Sequence, residues 1–183
     1  MQKPLISLFI LVLFSNSLFS QSLKSVKVND GEIIMKVPKN FVEMIPDDIA
    51  QRFPSIRKPI AAYTDEQRQS EQTVKISATQ WGNNDQEIAM SFFKASIMEY
   101  FDKVDFIKEE MVTIKKKSFI VFEFTSYVRG SETQPSERKY NYLMYYIKDR
   151  KTLVVSFRCP QKEMEFYKPV AEEIMNSLKI KKF

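Results

Sequence analysis

The residues able to do chemistry are few, and Glu123 has the most telling setting. It interrupts an otherwise apolar run, Phe119-Ile120-Val121-Phe122-Glu123-Phe124. A carboxylate can act as acid, base or nucleophile, but glycan hydrolysis needs two of them about 5–10 Å apart across a cleft. No second carboxylate stands at a defined spacing from Glu123. Glu109 and Glu110 are neighbours on one extended segment, so they point to opposite faces and cannot serve one substrate. Lys75 and Arg158 are expected on the face that carries Glu123 and are its candidate ion-pair partners. The chain has 183 residues with no His, one Cys and three Gly. Without His there is no imidazole acid/base, no Ser-His or Cys-His pair and no His-ligated zinc. One Cys makes neither an internal disulfide nor an iron–sulfur site. Three separated glycines, Gly31, Gly82 and Gly130, cannot build a phosphate cradle. No metal-ligand spacing stands out. The expected catalytic, metal and cofactor sets are therefore empty, and the chain reads as a non-enzyme.

The remaining candidates depend on the strands that present them. Residues 26–37 hold two β-favouring runs around Asp30-Gly31, which predicts a hairpin. Residues 42–58 are irregular and interrupted by proline, with one helical turn over 47–52. Residues 60–64 form a short strand. Residues 73–80 alternate, Val74 and Ile76 against Lys75 and Ser77, as a half-buried strand does. Asn84 and Glu87 spell a capping box for a helix over 85–101. Its apolar stripe is Ala89, Phe93, Ile97 and Tyr100/Phe101, widened by Ile88 and Phe92. Strands over 106–114, 118–129, 138–148 and 152–159 form an antiparallel meander with short turns, one at Lys115-Lys116-Lys117. A closing helix carries Met164, Tyr167, Val170, Ile174 and Leu178, with Pro169 at its start or at a kink. Residues 180–183 leave the core.

This order defines an α+β protein, an antiparallel β-sheet flanked by helices. Alternation assigns Val74, Phe122, Phe124, Leu143, Tyr145, Val155 and Phe157 to a core face. The opposite face mixes aromatic, polar and charged groups, and its candidate binding residues are Tyr142, Tyr146, Glu123, Lys75 and Arg158. Aromatics beside a few polar groups suit ligand or protein contact. Trp81 reads as a core lid and Cys159 as a small buried hydrophobe.

The first twenty residues read as an address. One cation, Lys3, precedes the uncharged apolar run 4–14, then a small polar stretch. This is the order of a secretory signal peptide, and the run is shorter than a membrane span needs. Cleavage falls after Ser17 or Ser20. Two domains follow: 1–20 as signal peptide and 21–183 as one folded unit in the periplasm or outside the cell. Loss of Lys3 takes 28 cations to 27 and the net charge from +5 to +4. That mild excess does not demand nucleic acid. Lys115, Lys116 and Lys117 offer weak contact with an anionic membrane surface.

The ordering also resembles a known family. An early hairpin ends in Val37-Pro38-x-x-Phe41. A strand, one long helix and a meander follow, and a last helix ends in Glu173-Ile174-Met175-Asn176-Ser177-Leu178-Lys179-Ile180. Over about residues 26–180 this is similar to the Mog1/PsbP-like superfamily, and within it to DcrB-type bacterial envelope proteins. The resemblance implies an α/β/α sandwich and a binding or assembly role. It brings no shared catalytic motif and no site residue. The leading expectation is an exported, non-enzymatic envelope protein that binds or assembles another protein. The alternative is a small-molecule or lipid carrier with a pocket between sheet and helix, for which the 9 Met and 15 Phe are a suitable apolar lining. An enzyme working with carboxylates or lysine is the third reading.

Overall fold

The computed structural model describes residues 21–54, 58–133 and 135–183; the expected signal peptide lies outside the described residues. Strands β1 (Leu23–Val28) and β2 (Ile33–Pro38) form the expected hairpin. Its turn is left-handed at Asn29, Asp30 and Gly31, and Glu32 N–H donates to Asn29 O at 2.9 Å. A two-residue strand β3 (Val42–Glu43) and a short helix α1 (Pro46–Arg52) follow. Proline at the helix start suits a position whose N–H has no intrahelical partner. Next come β4 (Ala61–Thr64), β5 (Glu71–Ala78) and α2 (Gln86–Tyr100). The meander is β6 (Lys103–Ile114), β7 (Lys117–Val128), β8 (Glu137–Lys148) and β9 (Lys151–Pro160). Helix α3 (Met164–Ser177) and the two-residue strand β10 (Lys179–Ile180) close the chain.

Seven strands form one antiparallel sheet in the order β3-β4-β5-β9-β8-β7-β6, and β1-β2-β10 form a second, smaller sheet. Two of the meander turns, Lys115-Lys116 and Asp149-Arg150, are left-handed at both residues, the geometry that follows the twist of a hairpin. Helix α3 and the inner face of the small sheet cover one face of the large sheet. Their core includes Met35, Phe41, Val74, Val121, Tyr142, Met144, Val155, Phe157 and Ile174. Helix α2 lies on the other face, over Ile120, Phe122, Phe124 and Ile147. The expected α+β architecture, a sheet with helices on both faces, is present.

Four local expectations are corrected. The α2 N-cap is Asp85, not Asn84, and no side chain caps the helix; the Asp85 carboxylate accepts Gly82 N–H at 2.6 Å instead. Ile88, Phe92 and Tyr100 face solvent, 66 %, 53 % and 75 % exposed, because the helix buries only the narrow line of Ala89, Phe93 and Ile97. Pro169 is the sixth residue of α3, well inside it. The tail does not leave the core. Ile180 pairs with Ile33, and Phe183 packs on Tyr146 at 5.4 Å between ring centroids.

Candidate functional site: a groove between helix α2 and the sheet

The strand registers lay out the floor of a groove. On the α2 side, residues from β5, β9, β8 and β7 line up across the sheet in three rows. They are Glu71-Arg158-Asn141-Phe124, Thr73-Ser156-Leu143-Phe122 and Lys75-Val154-Tyr145-Ile120. Each row starts polar on β5 and ends apolar on β7. Helix α2 sits on the apolar end. Phe93 stacks on Tyr145 at 4.3 Å, and Phe101 meets Phe124 at 5.9 Å. In the middle row the β5–β9 end keeps short side chains, Thr73 and Ser156, whose hydroxyls bond each other at 2.6 Å. Short floor residues beside a helix that does not reach them leave space. The far wall is Arg52, Phe53, Pro54 and Pro59, from the end of α1 and the segment after it.

The space is about 670 Å3, open to solvent. This falls within the ~300–1,000 Å3 common for small-molecule sites. Its α2 side is apolar, with Phe93, Ile97, Phe101, Leu143, Tyr145 and Val154. Its other side carries charge. Glu71 is buried, and it accepts Arg158 Nη2–H and lies 3.8 Å from Arg52 Nη2. Two guanidiniums around one buried carboxylate offset its desolvation. Arg52 is itself held by Thr64 Oγ1 at 3.3 Å and by the Arg68 carbonyl. Lys75 also lines the wall. The lining thus carries three cations and one carboxylate.

The structure divides the five residues expected to form one binding face. Lys75 and Arg158 line this groove, whereas Tyr142, Tyr146 and Glu123 lie on the opposite face, buried in the core under α3. The expected pairing of Glu123 with Lys75 or Arg158 is therefore corrected. Glu123, 1 % exposed, accepts a hydrogen bond from Tyr140 Oη at 3.0 Å, with Lys168 at 3.6 Å and Lys108 at 4.0 Å. Burial, then the neighbouring Glu123 charge, pushes the Tyr140 and Tyr142 hydroxyls well above the ordinary tyrosine range. This is a structural network in which the buried carboxylate is held by one tyrosine and two partly exposed lysines.

The turn lysines are also engaged. Lys115 Nζ donates to the Ser177 and Leu178 carbonyls at 2.8 and 3.1 Å, and Lys117 lies over the Tyr146 ring at 5.5 Å. Two of the three are thus tied to groups of the fold itself. Glu109 and Glu110 do face opposite ways, toward Lys94 at 2.7 Å and Lys108 at 3.8 Å. Trp81 packs on Phe92 and Phe93. Among the described residues no cluster of three metal-ligating side chains occurs, and no helix is long and apolar enough to cross a membrane.

Arg52, Glu71 and Thr73 are not among the residues the sequence singles out, whereas Ser156 falls with Lys75 and Arg158 by alternation. Arg52 belongs in the sequence to the helical turn over 47–52, and Glu71 falls between two expected strands. The available signal is the pair of small hydroxyl residues, Thr73 and Ser156, on their strands.

No protein-family model matches the chain, and no curated protein does. Solved structures do match in fold. Cyanobacterial PsbP from Synechocystis superposes with a TM-score of 0.59 at 10 % identity, over 87 % of this chain and 93 % of that one. The Ran-binding protein Mog1p of Saccharomyces cerevisiae gives 0.54 at 11 %, over 88 % and 97 %. LpqN of Mycobacterium tuberculosis, involved in cell envelope biogenesis, gives 0.56 at 11 %, over 86 % and 90 %. The chain has a Mog1/PsbP-like fold. At these identities the likeness is one of fold.

Proposed function

We propose that this chain is an exported, non-enzymatic binding protein of the cell envelope, and that its ligand occupies the α2 groove. The groove carries the reading: a pocket of about 670 Å3, apolar on one side and charged on the other, with a floor built from strand registers. Support for a binding role comes from Mog1p, named as a Ran-binding protein, and for an envelope setting from LpqN. The N-terminal segment supplies the route. Removal of residues 1–20, or 1–17, leaves a folded unit that begins just before β1.

The test uses a neutral apolar dye, N-phenyl-1-naphthylamine, which reports the groove without engaging its charges. Residues 21–183 are expected to enhance its fluorescence saturably. Ser156→Trp on the floor and Ser96→Trp on the α2 wall fill the same space from two sides, and each is expected to abolish the enhancement. Absence of binding to the parent protein, or full binding by both variants while they melt like the parent, overturns the groove as the site.

A protein partner keeps one observation in its favour. Ile88, Phe92, Met98 and Tyr100 expose a run of large apolar side chains along α2. Ile88→Glu/Phe92→Glu is expected to abolish capture of such a partner from envelope extract and to leave dye binding intact. Unchanged capture removes this reading.

A further inference from the structure

Resting on that reading, we infer that the groove takes a single-chain fatty carboxylate, its alkyl tail beneath α2 and its carboxylate beside Arg52 and Arg158. Three observations carry this. First, the polarity of the groove has a direction. Each floor row runs from polar on β5 to apolar on β7, so an occupant needs one charged end and one hydrocarbon end. Second, the charge at the polar end has a sign. Arg52 and Arg158 line it together with one carboxylate, Glu71, and two cations to one anion favour an anionic occupant. Third, the site already holds a carboxylate. Glu71 lies between the two guanidiniums, and the planar fork of each has further N–H groups to offer a second one. Arg52 and Arg158 are 28 % and 31 % exposed, so a head group reaches them without opening the fold. The groove, about 670 Å3, has room for an alkyl chain. The alkyl tail meets Phe93, Ile97, Leu143 and Tyr145, and each methylene buried there favours binding by about fourfold.

The experiment is displacement of the neutral dye by four ligands with the same ten-carbon chain: decanoate, decanol, decyltrimethylammonium and decyl phosphate. Decanoate is expected to displace it at about tenfold lower concentration than decanol, the value of one charge-assisted contact. Decyltrimethylammonium is expected to be weakest. Added salt is expected to narrow the gap between decanoate and decanol. Arg52→Gln is expected to shrink the decanoate preference, while Lys151→Gln, an exposed lysine outside the groove wall, leaves it unchanged. Equal displacement by decanoate and decanol overturns the inference and leaves the groove as a neutral apolar site. Tenfold tighter binding of decyl phosphate than decanoate overturns the carboxylate assignment. A protein that neither binds the dye nor gives heat on calorimetric titration with decanoate overturns this inference and the functional reading together.

Discussion

Cys159 and Glu123 show how much burial decides about single side chains. The Cys159 thiol is enclosed, and burial pushes its pKa up to about 12 from the usual 9.0. A thiol raised this far stays protonated at every physiological pH, and the thiolate is the reactive form. Native protein at pH 8 is expected to show no reaction with Ellman's reagent on a time scale on which protein in guanidinium reacts fully. Rapid native reaction would contradict the buried position. The sign for stability follows from the same shift. A neutral thiol stabilises the fold fully below pH 9, and that contribution disappears as pH rises through about 12. Glu123 poses the opposite problem, a charge in the core. Glu123→Ala removes the acceptor of the Tyr140 hydroxyl and leaves that group buried without a partner, a cost of about 2 kcal/mol. Adding Tyr140→Phe is expected to recover part of the loss, measured as a coupling energy in urea unfolding. Strict additivity of the two changes would remove the hydrogen bond as the cause.

At the scale of elements, the end of α3 is secured from two directions. Lys115 donates to the last helix carbonyls, and the Ser177 hydroxyl accepts Lys36 N–H at 2.8 Å from β2. Orphan carbonyls at a helix end favour a cation there. Lys115→Met is expected to cost about 1 kcal/mol in chemical denaturation, and Lys116→Met close to nothing. Equal effects would show that turn geometry, not capping, is what Lys115 provides. The elements also show what a linear sequence carries. Alternation within each strand is legible, so Tyr142, Met144 and Tyr146 fall together, as do Lys75 and Ser77. The relative phase of separate strands is not. With helices on both faces, both faces are apolar over β7 and β8, and alternation no longer marks which side is which. Phe124 and Phe157 therefore read as one face, although the register puts them on opposite sides. The candidate site divides along this line. Polarity is no sign of a shared face here: Arg158 and Lys75 look like companions of Glu123 in the sequence and lie across the sheet from it.

For the whole molecule, two cores of unequal extent lie on either side of one sheet. The α3 side is closed by a helix and a second sheet, joined where the Gln72 amide donates to the Lys36 carbonyl at 3.0 Å. The α2 side has one helix and the groove. Stability is therefore expected to depend mainly on the α3 side and ligand binding on the α2 side. A ligand that binds only the folded form raises the melting temperature as its concentration exceeds its Kd. Saturating decanoate is expected to raise the melting temperature of the parent protein but not of Ser156→Trp. An equal rise in both would place the ligand elsewhere. Export carries its own prediction: protein recovered from the envelope of an expressing bacterium is expected to begin at Leu18 or Gln21 by mass. Uncleaved chain confined to the cytosol would overturn it.

The pairing of β10 with β2 also governs timing. Ile33 and Ile34, near the start of the folded part, wait for Ile180 and Lys179 near its end before the small sheet is complete. Their pairing closes a long loop, and long-range closures of this kind form slowly. The small sheet is therefore expected to close late in folding, after the local hairpins of the large sheet have formed.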